Sequence, residues 1–308
     1  MFRRTRLRSG PAGPLRIVIF VALAVISPRG RTLAQGGGAV NPHAAQPERP
    51  TVATHAYTVA PGWIEIEAGV QRQQEGALAD RIAVPILFKI GVGERLQFDV
   101  APAWQRDAQG GSAQQGLTDL LVGLKCRIAD RAPVVGALAI QGTVSLPTGS
   151  ADAGRGSGKS AVNVLVISSH RLGPLSLDVN AGYTRLGGES PVAPRDSTVW
   201  TAATGLPIAG PLGWAAEVFG FPGTSGPNGQ APVVAVLTGP TLAVRPSLVV
   251  DAGVILDVVR FGGTAAYAGV TWNIGRLWRS DARPSRLPGR GPVPREAGTP
   301  RSVKRPHP

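Results

Sequence analysis

The chain is 308 residues long, carries a formal net charge of +13, and contains one cysteine and four histidines. The charge sits at the ends: residues 1–34 carry +7, residues 276–308 carry +7, and residues 35–275 carry −1. A near-neutral centre without a basic stripe excludes a nucleic-acid-binding domain there, so nucleic acid is not an expected partner. A lone Cys126 excludes an intramolecular disulfide and reads as a structural thiol.

The N-terminus reads as an export signal. Arg3, Arg4, Arg6, Arg8 and Arg16 form a basic region, "IVIFVALAVI" (17–26) an apolar stretch, and Thr32 and Ala34 supply the small residues of a cleavage site. That stretch is short for a transmembrane helix. Residues 1–34 are therefore expected to be a signal peptide, and residues 35–56 a flexible periplasmic leader.

From residue 57 to 275 the pattern alternates. In "WIEIEAGVQ", Ile64, Ile66, Ala68 and Val70 interleave with Glu65, Glu67, Gly69 and Gln71. In "RIAVPILFKI", Ile82, Val84, Ile86, Phe88 and Ile90 share one face. Period-two alternation marks strands with one apolar face. Strands are predicted near 62–73, 81–91, 95–106, 117–128, 134–146, 161–171, 174–185, 198–208, 213–221, 232–244, 248–258 and 264–275. Their connections alternate long (74–80, 107–116, 147–160, 186–197, 222–231) and short (91–94, 129–133, 172–174, 208–213, 245–247).

Even strand count, alternating turn length and ten-residue alternating segments are the signature of an outer-membrane barrel. The fold class read from the sequence is all-β, an antiparallel transmembrane β-barrel of about 12 strands over residues 57–275. A soluble sandwich also alternates, but its apolar faces need large residues, and here Ala, Gly and Val are frequent. Trp63, Trp104, Trp200, Trp214 and Trp272 fall near strand ends, as an interfacial aromatic girdle requires. Residues 276–308 are rich in Arg, Pro and Gly and are expected to be a disordered tail.

The polar faces of these strands define the candidate site. The expected lumen-facing residues are Glu65, Glu67, Lys89, Asp99, Asp119, Lys125, Arg127, Asp178, Asn180, Glu217, Asp251 and Asp257. Gln71, Gln97, Gln141, Thr143, Asn163 and Thr184 extend the same face. Their mixed signs fit either a polar conduit or an internal ion-pair network.

Other chemistries find little footing. "AGRGSGKS" (153–160) mimics a phosphate-binding loop through Gly158, Lys159 and Ser160, but Ala153 stands at the opening position. The β-branched "SAVNVLVISSH" that follows is a poor helix, and a phosphate loop needs a helix N-terminus there. These residues are read as a decoy in a polar, flexible loop, and no cofactor is expected. The histidines have no metal-ligand spacing. Ser168 and His170 share a strand face, yet no partner carboxylate is evident for a hydrolase triad.

"GLTDLLVGLKCRI" (116–128), then a strand ending "VSLPTG" (144–149) and a Gly/Ser-rich loop, resembles the outer-membrane transporter-like proteins of the MetA pathway of phenol degradation. Asp119, Val122, Gly123, Lys125 and Arg127 carry that likeness, and "LDVNAGYTRLG" (177–187) and "SLVVDAGV" (247–254) look like later repeats of it. The resemblance implies a barrel that passes small aromatic or hydrophobic compounds. Tyr267, Gly269, Trp272 and Ile274 are similar to the final-strand signal read by the barrel-assembly machinery. The expected partners are outer-membrane lipid, that machinery and an unidentified small solute. The expected function is a passive channel without a chemical step. A non-transporting barrel with binding loops and a membrane-embedded hydrolase are the alternatives.

Overall fold

The computed structural model describes residues 41–75 and 79–279. The expected signal peptide, residues 35–40 of the leader and residues 280–308 of the tail lie outside the described residues.

Fourteen strand segments form one antiparallel sheet: β1 (Trp63–Glu75), β2 (Ala79–Gly93), β3 (Leu96–Ala101), β4 (Ala103–Gln109), β5 (Ser112–Leu117), β6 (Leu120–Ala132) and β7 (Gly136–Leu146) in the first half. β8 (Ala161–Leu172), β9 (Leu175–Leu186), β10 (Asp196–Ala209), β11 (Leu212–Phe221), β12 (Val233–Arg245), β13 (Leu248–Val259) and β14 (Thr264–Arg276) complete it. β1 pairs with both β2 and β14, so the sheet closes on itself. β3 with β4, and β5 with β6, are halves of single staves, which makes a closed barrel of 12 staves. Closure removes the open edges that an isolated sheet would expose.

The two interrupted staves have separate causes. Pro102 lacks an N–H and so cannot complete the ladder between β3 and β4. The register with β2 is unchanged across it, from Phe88↔Val100 to Pro85↔Ala103. Between β5 and β6 the pairing slips by one residue, from Trp104↔Leu117 to Ala101↔Leu121. That slip sets three residues, 118–120, against two, 102–103, and the bulged segment carries Thr118 and Asp119. The connection expected as a long loop at 107–116 is instead a hairpin of β4 and β5. It turns on Gly110 and Gly111, whose φ of 57° and 88° suit residues without a Cβ.

Alternation sorts the side chains. Val162, Val164 and Val166 on β8, Ile140 and Val144 on β7, and Leu256 and Val258 on β13 stand exposed on the outer face. Trp200, Trp214 and Trp272 join them, with Trp200 lying across Gly220 of the neighbouring stave. Trp63 departs from the girdle and packs on His43 at 4.8 Å. Short turns gather at one end of the barrel and long connections at the other; these are called the turn end and the loop end below.

An apolar outer belt is stable only in a lipid phase. Val166→Arg, at the centre of β8, should therefore cost about 2–4 kcal/mol in urea unfolding from lipid vesicles. An unchanged unfolding curve would place this belt out of lipid.

Candidate functional site

The turn-end half of the barrel is occupied by its own leader. Residues 41–60 contain Pro42, Pro47 and Pro50 and form no ladder, so their backbone N–H groups need other acceptors. The wall supplies them. Gln46 N–H donates to Glu65 at 2.7 Å, Glu48 N–H to Glu67 at 2.7 Å and Arg49 N–H to Glu67 at 3.0 Å. Val52 and Ala53 both donate to Glu217 at 2.7 Å. Thr54 exchanges two bonds with the Asn180 amide, at 2.7 and 2.9 Å. Ala56 donates to Ser169 Oγ and Val59 to Gln97 Oε1.

Together with the Arg49 side chain, which reaches Asp251 on β13, these contacts run in chain order through β1, β13, β11, β9, β8 and β3. The leader thus makes one circuit of the inner wall before entering β1. The flexible leader expected for residues 35–56 is corrected over residues 41–56. Its polar, proline-containing sequence has no ladder of its own, yet it is ordered by acceptors that lie far along the chain.

The carboxylates of this ring are balanced by three cations. Lys89 Nζ is fully buried and lies 2.6 Å from Glu65, 2.5 Å from Glu67 and 2.6 Å from the Gln46 carbonyl. Lys125, equally buried, bonds the Glu48 carboxylate and lies 3.1 Å from Thr54 Oγ1. Arg49 reaches Asp251 at 3.4 Å. Its guanidinium lies flat on Gly69 and Gly269, where an added Cβ would come within 2.4 Å of it. Any side chain at either glycine would expel Arg49.

Two leader groups are electrostatically displaced by this setting. Burial would raise the Glu48 carboxyl, but Lys125 and Lys89 beside it hold it well below the usual carboxylate range. Burial, reinforced by Lys125, pushes the His55 imidazole down to about 3.

The loop-end half differs. On one side Phe219, Ala235, Leu237, Ile255 and Tyr267 form an apolar inner cluster, and Phe261 folds in from the 259–263 connection to meet Phe219 at 5.8 Å. On the other side a cavity of about 390 Å³ is lined by Leu121, Thr143, Ser145, Asn163, Thr184 and Leu186. Its rim is the 147–160 loop.

That loop was expected to be flexible, and the structure corrects this. Asp119, in the slip between β5 and β6, accepts from Gly149 N–H at 3.0 Å, Ser157 N–H at 2.9 Å and Ser157 Oγ at 3.2 Å. The loop then sends Arg155 down to the inner wall at Gly116, where an added Cβ would lie 2.9 Å from Nε. Ser190 and Asn228 link two further loops to it, through Ser157 and Ser190 carbonyls. After Gly158, Lys159 and Ser160 the chain enters β8 directly, with no helix N-terminus to receive a phosphate.

The remaining sequence-expected residues take local roles. Asp99 accepts from Gln97 at 2.8 Å and Gln141 at 3.1 Å, and Asp178 accepts from Ser169 Oγ at 2.5 Å. Asn163 donates to Thr184 at 2.8 Å on the cavity wall. Arg127 turns to the Glu94 carbonyl at 2.7 Å and to Asp130 at 3.3 Å, at the turn end. Asp257 caps the 259–263 connection through Phe261 N–H at 2.9 Å. Gln71 pairs with Tyr267 and Ala83 on the inner face.

Ser168 and His170 point outward, 2.9 Å apart, with the serine also 2.7 Å from the Val135 carbonyl. Cys126 is exposed on the outer face. No group of His, Cys, Asp or Glu able to hold a metal occurs among the described residues. Strand alternation does not mark Gln46, Glu48, Arg49, Thr54, Arg155 and Phe261, because all six lie outside the staves. The one signal available for the leader was the excess of inward carboxylates over inward cations on the staves.

No protein-family model and no curated protein matches the chain. Solved structures do. An outer membrane channel from Pseudomonas putida F1 superposes with a TM-score of 0.57 at 10% identity, over 70% of this chain and 97% of that one. The translocator domain of an autotransporter from Neisseria meningitidis gives 0.43 at 12% identity, over 68% and 88%. A monoaromatic hydrocarbon channel gives 0.40 at 8% identity, over 71% and 90%. The first of these has the same barrel fold.

The docking network makes two checkable statements. Lys125→Met strands Glu48 in the lumen and should weaken leader docking by about 3–5 kcal/mol. Faster amide exchange at residues 46–59 reads this out, and adding Glu48→Gln should recover part of it. Secondly, the His55 imidazole should stay neutral down to pH 5, although an ordinary histidine protonates near 6.5. A ¹⁵N-histidine NMR titration reports the protonation state directly.

Proposed function

We propose that the protein is a passive outer-membrane conduit for small compounds, aromatic or hydrophobic, in which the docked leader sets the resistance of the path. The observation that carries this reading is the division of the lumen: an apolar-and-hydroxyl cavity at the loop end, and a leader-filled ring at the turn end. Leu121 and Leu186 offer apolar surface to a solute, and Thr143, Asn163 and Thr184 offer neutral hydrogen-bonding groups. Selection by lumen size and polarity needs no chemical step. The likeness of residues 116–128 to the phenol-degradation transporter family and the shared fold with a solved channel support the same reading.

In this reading residues 1–34 direct export, and the barrel-assembly machinery inserts residues 57–275 into the outer membrane. The loop end faces outside. The second reading, a non-transporting barrel whose loops bind something external, is favoured by one observation: residues 41–60 fill the turn end.

Reconstitution separates the two. Vesicles containing the barrel should take up small neutral aromatic compounds faster than empty vesicles. Lys125→Met, or removal of residues 41–60, should raise ion conductance in planar bilayers at least tenfold. No uptake together with unchanged conductance on leader release would sink the conduit and leave the structural barrel.

A further inference from the structure

The outer face of the β1–β2–β4–β5 wall carries a polar groove that neither the lumen nor the leader explains. Side chains stack there in rows set by the strand register. Val84, Trp104 and Leu117 form one outward row, and Leu117 is 63% exposed, as a lipid-facing group would be. The next row toward the loop end is Arg72, Ile82, Arg106 and Gln115. The row beyond is Gln74, Asp80, Ala108 and Ala113. Successive outward rows are two residues, or about 7 Å, apart. The apolar belt therefore gives way within one row to a pair of arginines.

The geometry of that pair is specific. Arg72 and Arg106 each pair with Ile82 from opposite sides, so their backbones stand two strand spacings, about 10 Å, apart. They flank a groove of about 360 Å³ that also takes in Gln74, Asp80 and Ala108. Asp80 receives Arg72 Nε at 2.9 Å, and the Arg72 side chain is still 60% exposed, so a second anion can reach the guanidinium. With two arginines and one aspartate the groove is net positive. Such forks bind phosphate oxygens bidentately.

We propose that this groove binds the phosphorylated sugar headgroup of an outer-leaflet glycolipid, the lipid A part of lipopolysaccharide. Acyl chains lie along the Val84–Trp104–Leu117 surface, a phosphate sits between Arg72 and Arg106, and the neutral Gln74 faces sugar hydroxyls. A glycerophospholipid offers the phosphate but not the ring hydroxyls, and its place in the outer leaflet is largely taken by the glycolipid. The site rests on the outer-membrane placement proposed above but not on any transport by the lumen.

The test uses the full barrel in detergent micelles, titrated with lipid A bearing both phosphates, with dephosphorylated lipid A and with phosphatidylglycerol, and read by native mass spectrometry. Bis-phosphorylated lipid A should be retained at least tenfold better than either other lipid. The Arg72→Gln/Arg106→Gln variant should lose that preference while still migrating as a folded barrel when unboiled, and Arg106→Gln alone should lose at least threefold. Arg185→Gln, an arginine on the outer face of β9 away from the groove, should retain it. Equal binding of dephosphorylated lipid A, equal binding of phosphatidylglycerol, or full retention by the double variant would each overturn the proposal. Because the readout is lipid retention in micelles, a barrel that conducts nothing can still pass, and a conducting barrel can still fail.

Discussion

The pairing of β1 with β14 is the constraint from which the rest follows. Once that ladder closes, no stave has an open edge, and the side chains divide into an outer set and an enclosed set. The outer set must match lipid. The enclosed set must satisfy whatever is placed within. A leader without a ladder of its own presents unpaired N–H groups, and each would cost about 1–3 kcal/mol if buried without an acceptor. The ring of Glu65, Glu67, Gln97, Ser169, Asn180 and Glu217 meets that demand, one or two donors at a time.

Acceptors that are carboxylates bring charge, and charge out of water needs partners. Lys89, Lys125 and Arg49 supply them, one from the leader and two from the wall. Buried ion pairs of this kind contribute little net stability over apolar packing, because desolvation offsets attraction. Their consequence here is selectivity of placement. Glu48 has one position that meets Lys125, and Arg49 has one surface, between Gly69 and Gly269, on which it fits. The leader is therefore docked in one register, yet held by bonds that a polar environment could replace. The turn end of the lumen is filled by that arrangement, while the loop end keeps a cavity lined by the staves and by the 147–160 loop.

Much of the architecture is legible in the sequence because a barrel strand repeats a two-residue rule, and each stave can be read without its neighbours. Expected strands at 161–171, 213–221 and 248–258 lie within a residue or two of β8, β11 and β13. The 107–116 hairpin is a local departure, made by Gly110 and Gly111. The pinned 147–160 loop and the docked leader share another cause, since both depend on groups far away in the chain. Asp119 orders Ser157 across 38 residues, and Glu217 holds Ala53 across 164. Glycine and proline content predicts irregular backbone, and it does not say whether another part of the molecule will fix that backbone in place.

The sequence by itself determined the staves, their number, the apolar outer belt and the polar inner face, because all of these are local consequences of alternation and turn length. It also displayed the inward carboxylates. Only the tertiary structure decided what those carboxylates do. Closure brings β1, β3, β8, β9, β11 and β13 around a common interior, and there their side chains become hydrogen-bond acceptors for residues 41–60. The register of β1 with β2 and of β2 with β4 sets Arg72 and Arg106 on either side of Ile82, a relation that alternation alone does not specify.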